Sequence, residues 1–213
     1  MIKVKICGLT DERSIDAANQ LKLDFVGFVH FPASPRHLPL MRAAALKSQL
    51  DRTIRSVCVL VRPDMALIDE VMATLTPDDI QLHGTQPGAD GAAIKQRYPD
   101  LGIINALAIA SADDVARAMH VSAGADMLLF DAKPPAASLL PGGNGLSFDW
   151  VLLQHREFAL PWMLSGGLNE ANVKEAIRLS GAAMVDVSSG VERAPGVKDP
   201  ALMEAFVKAA RES

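Results

Sequence analysis

The chain carries only two cysteines in 213 residues, Cys7 and Cys58. No stretch approaches the ~20 consecutive apolar residues that a membrane-spanning helix needs. Two thiols in separate apolar runs build no disulfide framework, and a reducing cytoplasm is the compartment such usage implies. Basic blocks, and arginines interleaved with aromatics, are also missing. With a formal net charge of -4, this argues against nucleic acid as a partner. Met1-Ile2-Lys3-Val4 leads directly into a strand pattern, without the zones of a signal peptide. No His, Asp and Glu set has metal-ligand spacing. No Pro/Gly/Ser-rich linker divides the chain, so one domain over residues 1–213 is expected.

What is present is a recurrence. Eight short runs rich in β-branched residues lie at Ile2–Ile6, Asp24–Val29, Arg55–Val61, Asp79–Leu82, Gly102–Leu107, Asp126–Phe130, Pro161–Leu164 and Ala183–Val187. Each is followed by turn residues and then a helical pattern. Thr10, Ser111 with Asp114, Asn169, and Asp199 before Pro200 offer helix caps. Eight strand-helix units in one chain predict a (β/α)8 barrel at the small end of its range. A doubly wound open sheet is the alternative, but the first turn, Cys7-Gly8-Leu9-Thr10, lacks its glycine fingerprint.

In such a barrel the chemistry comes from the C-terminal ends of the strands. The first strand ends at Cys7. Alternation puts Lys3, Lys5 and Cys7 on one face, the inner one if Ile2, Val4 and Ile6 pack outward against helices. A nearby ammonium would lower the thiol pKa and supply thiolate near neutral pH, although an unpaired cysteine is more often an inert core residue. Cys58 reads as core. The second strand runs into a loop stiffened by Pro32 and Pro35, which can fix Arg36 for a carboxylate; a solvated arginine is the plain alternative. His83 ends the fourth strand as a substrate contact or a hydrogen-bonded structural histidine.

Asp131 ends the sixth strand. Burial disfavours a carboxylate, so a carboxyl there suits a general acid, with a loop-capping aspartate as the alternative. The glycine-rich loop from Pro134 to Ser147 reads as a lid or as surface slack. Gly166 and Gly167 follow the seventh strand, and Ser188, Ser189 and Gly190 the eighth. Together they offer the backbone N–H groups and hydroxyls of a phosphate cradle. In a closed ring the eighth strand neighbours the first, so Asp186 is expected to pair with Lys5.

These residues resemble the phosphoribosylanthranilate isomerases of tryptophan biosynthesis. The resemblance runs from Lys5-Ile6-Cys7-Gly8-Leu9-Thr10 to Pro195-Gly196-Val197-Lys198-Asp199. It includes Ser34-Pro35-Arg36, Gln81-Leu82-His83-Gly84, Ser165-Gly166-Gly167-Leu168 and Asp186-Val187-Ser188-Ser189-Gly190-Val191-Glu192. It implies an Amadori rearrangement of N-(5-phosphoribosyl)anthranilate without a cofactor. Cys7 would be general base and Asp131 general acid. Arg36 would hold the anthranilate carboxylate, and Gly166, Gly167, Ser188, Ser189 and Gly190 the phosphate. His83, Gly143, Asn144 and Asp186 complete the expected substrate-binding set. Asn144 stands where the family usually has threonine. The rivals are another phosphosugar barrel enzyme, which would want an active-face lysine or a metal, and a non-catalytic phosphometabolite sensor, which would not need Cys7 and Asp131 together. The expected partner is a small phosphosugar, with neither membrane nor nucleic acid involved. No helix shows an extra apolar face, so a monomer is expected.

Overall fold

The computed structural model describes residues 1–84, 89–119, 124–133 and 145–213. Eight parallel strands close into a barrel: β1 Lys3–Cys7, β2 Phe25–Val29, β3 Arg55–Val61, β4 Asp79–His83, β5 Gly102–Ile109, β6 Met127–Ala132, β7 Trp162–Leu164 and β8 Met184–Val187. The ring is sealed where β8 pairs with β1, with Lys5 opposite Asp186.

Seven α-helices are described: α1 Glu12–Gln20, α2 Leu40–Lys47, α3 Met65–Thr74, α4 Ala89–Arg97, α5 Ala112–Ala118, α6 Val173–Ser180 and α7 Pro200–Arg211. Between β6 and β7 the described residues form only a short 3-10 turn, Trp150–Leu153. None of these helices is long and apolar enough to cross a membrane.

Strand alternation sorts the core into two layers. Outward residues such as Val4, Ile6, Val26, Phe28, Leu60 and Phe130 pack with the helices in the main cluster. Cys58 belongs to this layer, and burial pushes its thiol up to about 12, so it is core as expected. Inward residues Phe25, Val57, Ile104, Leu129, Met163 and Met184 form a separate plug that closes the barrel beneath the site. Above the plug the interior turns polar.

Capping follows the sequence in part. Ser111 and Asp114 make a capping box, and Asp199 caps α7 ahead of Pro200. Two caps differ from expectation. Asp11, not Thr10, caps α1, because its carboxylate reaches Ser14 N at 2.8 Å; the Thr10 hydroxyl donates to Gly196 O instead. Helix α6 begins only at Val173, because Asn169 and Asn172 close a turn between themselves, with Asn169 N donating to Asn172 Oδ1 at 2.8 Å.

After β8 the chain makes a 3-10 turn, Ser189–Val191, and an antiparallel hairpin of β9 Glu192–Ala194 and β10 Val197–Lys198. At its turn Gly196 has φ +79°, and a Cβ there would lie 2.4 Å from Pro35 O. The hairpin therefore sits directly against the loop that follows β2.

Candidate active site

The C-terminal mouth of the barrel holds a cavity of about 750 Å³, open mouth included. Cys7, Arg36, His83, Asp131, Gly166, Gly167, Asp186, Ser188 and Ser189 all line it. The expected residues from strands one, two, four, six, seven and eight thus converge on one space. Gly143 and Asn144 lie outside the described residues, as does the Pro134 to Ser147 loop except for its last three residues. Of these, Gly145 reaches the cavity lining.

Cys7 sits at the inner tip of β1, buried against Val29 and Val59. Gly27 on the adjacent strand makes room for its sulfur: a Cβ on Gly27 would lie 2.7 Å from Sγ. Burial pushes the Cys7 thiol up. The Lys5 ammonium pulls it back, Asp186 adds to the rise, and Lys198 and Arg36 oppose it. The net direction is upward, which corrects the expectation of a thiolate near neutral pH. The neighbouring cations are present, but the loss of water outweighs them.

A polar chain crosses the interior beneath Cys7. Ser165 Oγ donates to Asp186 Oδ2 at 3.1 Å, and Lys5 Nζ donates to Asp186 Oδ1 at 2.9 Å and to Gln81 Oε1 at 2.8 Å. Lys5 is fully buried. Burial pulls its ammonium down, but Asp186 and Cys7 more than offset this, and it titrates above the ordinary lysine value. The sequence expectation of a Lys5–Asp186 pair is met. Gln81 spends its carbonyl on Lys5, so its amide nitrogen donates to His83 Nε2. His83 is therefore neutral with its proton on Nδ1, and burial together with the charge of Lys5 pulls it down to about 4. It is both hydrogen-bonded and in the cavity wall.

Asp131 ends the inner face of β6. Its Oδ1 accepts from Ala132 N at 2.8 Å, and Gly166 packs against it at φ +90°, where a Cβ would lie 3.2 Å from Oδ1. On the far side of the mouth, loops seven and eight interlock. A Cβ on Gly190 would lie 2.0 Å from Leu168 O, and one on Gly167, at φ +64°, 2.7 Å from Leu146 C. A side chain on Gly190 would drive loops seven and eight apart, and one on Gly167 would push loop seven off Leu146 in the loop after β6. Gly190 itself is not in the cavity wall; it lets Ser188 and Ser189 come up to it.

Arg36 is buried, with its main-chain N–H bound to Ser34 Oγ at 3.1 Å. Glu192 binds its guanidinium side-on, with Nε to Oε1 at 2.8 Å and Nη2 to Oε2 at 2.9 Å. Lys198 Nζ reaches the same Oε1 at 2.7 Å. Burial raises the Glu192 carboxyl, but Arg36 and Lys198 lower it more, and the net shift is downward. Sequence reasoning missed Glu192 and Lys198. The available signal was a charged residue at each end of a Pro195-Gly196 turn, the pattern of a hairpin with paired ends. Among the described residues no group of three or more His, Cys, Asp or Glu is arranged to hold a metal.

Comparison with known proteins places the chain. The family model described as N-(5'phosphoribosyl)anthranilate (PRA) isomerase matches residues 4–209. The N-(5'-phosphoribosyl)anthranilate isomerase of Paramagnetospirillum magneticum is 49% identical over 210 residues, 99% of this chain and 97% of that one. The crystal structure of TrpF from Jonesia denitrificans is 36% identical with a TM-score of 0.83, covering 99% of this chain and 97% of that one. A phosphoribosyl anthranilate isomerase solved with reduced 1-(o-carboxyphenylamino)-1-deoxyribulose 5-phosphate is 31% identical over the whole of both chains, with a TM-score of 0.85.

Proposed function

The chain belongs to the N-(5'-phosphoribosyl)anthranilate isomerase family, and from that premise we propose how its residues carry the reaction. It is an isomerase of tryptophan biosynthesis; the product proposed is 1-(2-carboxyphenylamino)-1-deoxyribulose 5-phosphate. Asp131, as the carboxylic acid, gives its proton to the ribose ring oxygen. The bond from that oxygen to C1 breaks, and the anthranilate nitrogen lone pair closes a C=N bond. Cys7, acting through the minor thiolate fraction that its raised thiol keeps near neutral pH, removes the proton from C2, and the C–H electrons form the C1–C2 double bond of an enolamine. Tautomerisation returns a proton to C1 and leaves a ketone at C2. The reaction is an internal redox exchange and needs no outside oxidant.

The observation that supports this reading best is that Cys7 and Asp131, from strands one and six, open into the same cavity. An acid and a base from separate strands can address different atoms of one sugar. Arg36 would take the ring carboxylate, and Gly166, Gly167, Ser188 and Ser189 the phosphate, with Gly190 behind them setting their loop and His83 in the wall. Asp186 would act through Lys5 beneath the thiol. Anchoring both ends of the substrate sets C2 against the sulfur. A relative holds a reduced form of this product, which supports the same class of small phosphosugar as ligand here. The exposed large apolar side chains, among them Met41, Met119 and Val151, lie on different elements, which supports a monomer, to be checked by light scattering.

The test is loss of anthranilate fluorescence on addition of enzyme. Cys7→Ser and Asp131→Asn should each lower kcat by roughly two to four orders of magnitude with the barrel still folded. Near-normal turnover by either variant removes that residue from its role.

A further inference from the structure

We infer that Glu192, braced by Lys198, is the positioning residue that aims Arg36 into the cavity and so makes the site selective for a substrate whose ring carries a carboxylate. This rests on the reading of Arg36 given above and extends it to two residues that need not touch substrate.

The hairpin sets the brace. Glu192 and Lys198 are cross-strand partners on β9 and β10. The three protons of the Lys198 ammonium are all engaged, by Glu192 Oε1 at 2.7 Å, Ser188 O at 2.9 Å and Ser188 Oγ at 3.2 Å. Glu192 is therefore tied to the strand-eight loop before it meets Arg36. It then takes one edge of the guanidinium, Nε with Nη2. A guanidinium has five N–H groups in a rigid plane. With two given to Glu192, three remain, of which one on Nη1 and one on Nη2 form the outer edge while the second Nη1 N–H points to the Cδ side. Among the described residues that edge has no partner, and Arg36 lines the cavity. That edge is the one that grips a carboxylate end-on.

Two close approaches keep the plane from turning. A Cβ on Gly8 would lie 2.7 Å from Arg36 Cδ, so the arginine stem lies tight against the turn after β1. The hairpin turn at Gly196 abuts Pro35, as described. Charge agrees with this geometry. Arg36, Lys198 and Glu192 together carry one positive charge in excess within a buried cluster, and a single carboxylate brings it to neutrality.

The test uses isothermal titration with two stable probes, reduced 1-(o-carboxyphenylamino)-1-deoxyribulose 5-phosphate and its phenylamino counterpart without the carboxylate. In Glu192→Gln, affinity for the carboxylated probe should fall roughly ten- to hundredfold, and for the other by less than about threefold. Glu192→Asp keeps the charge but draws the carboxylate back, and should lose part of the same ratio; it also serves if the glutamine variant does not fold. Equal loss on both probes, or an unchanged ratio in both variants, overturns the inference. Arg36→Met separates the two claims. If it abolishes the ratio while the Glu192 variants leave it intact, only the positioning role fails. If it too leaves the ratio intact, the carboxylate reading of Arg36 fails first.

Discussion

Lys5 Nζ and Asp186 Oδ1 lie 2.9 Å apart across the seam where β8 closes on β1, both buried, directly beneath Cys7. The pair holds the ammonium charged though it is fully buried, and its two members act on the thiol in opposite senses.

Asp186→Asn tests this arrangement. The change leaves a buried cation with neutral partners, so stability should drop by about 3–5 kcal/mol in urea unfolding. It also removes the charge that pushes the Cys7 thiol up and frees Lys5 to act on the sulfur. The low-pH limb of the kcat/KM profile should therefore move to lower pH. An unchanged limb separates Asp186 from the thiol.

The upward direction of the Cys7 thiol predicts slow alkylation at neutral pH. A thiol raised above its ordinary value of 9.0 is mostly protonated below that pH, so inactivation by iodoacetamide should keep accelerating through pH 9. Inorganic phosphate should slow it by filling the mouth. A rate that levels off below about pH 8 would mean that the cations around the sulfur outweigh its burial.

Gly27→Ala adds one methyl group 2.7 Å from the Cys7 sulfur without touching any backbone conformation special to glycine. The thiol must shift. A displacement near 1 Å at a reacting atom can cost about a hundredfold, so kcat should fall by that order while KM holds. Wild-type kcat in a folded variant would show that the sulfur has slack.

His83 makes a prediction about stability. Its folded value of about 4 lies below its ordinary 6.5, so between those limits the unfolded chain takes up a proton that the folded protein refuses. The sign follows: stability is full above pH 6.5 and falls as pH drops toward 4, by roughly 3 kcal/mol in all. In His83→Asn that share of the acid slope should vanish from urea titrations at a series of pH values.

Much of this was legible in the sequence, for local reasons. Period-two alternation places Lys5 and Cys7 on one face, and a count of eight strands closing on the first puts Asp186 beside Lys5. Ser111 and Asp199 announced their helices because a cap is a contact over three residues. What the sequence could not show was long-range or collective. Glu192 reaches Arg36 over 156 positions, and a two-proline loop gives no hint of it. The upward direction of the Cys7 thiol is not legible in the sequence, because charge neighbours can be read from alternation, whereas the loss of water depends on the whole wall around the sulfur. Thr10 looked like the cap of α1, but Asp11 beside it has the reach, and the Thr10 hydroxyl serves the distant turn at Gly196.

The buried polar chain also divides the barrel in a telling way. Lys5, Gln81 and His83 lie on strands one and four, while Asp186 lies on strand eight and Ser165 directly follows strand seven. A fragment ending after β4 would carry an internal cation with no anion, and the complementary fragment an internal anion with no cation. Co-expressed halves should therefore find each other through a charge that neither can bury alone, and an Asp186→Asn second half should associate poorly with its mate.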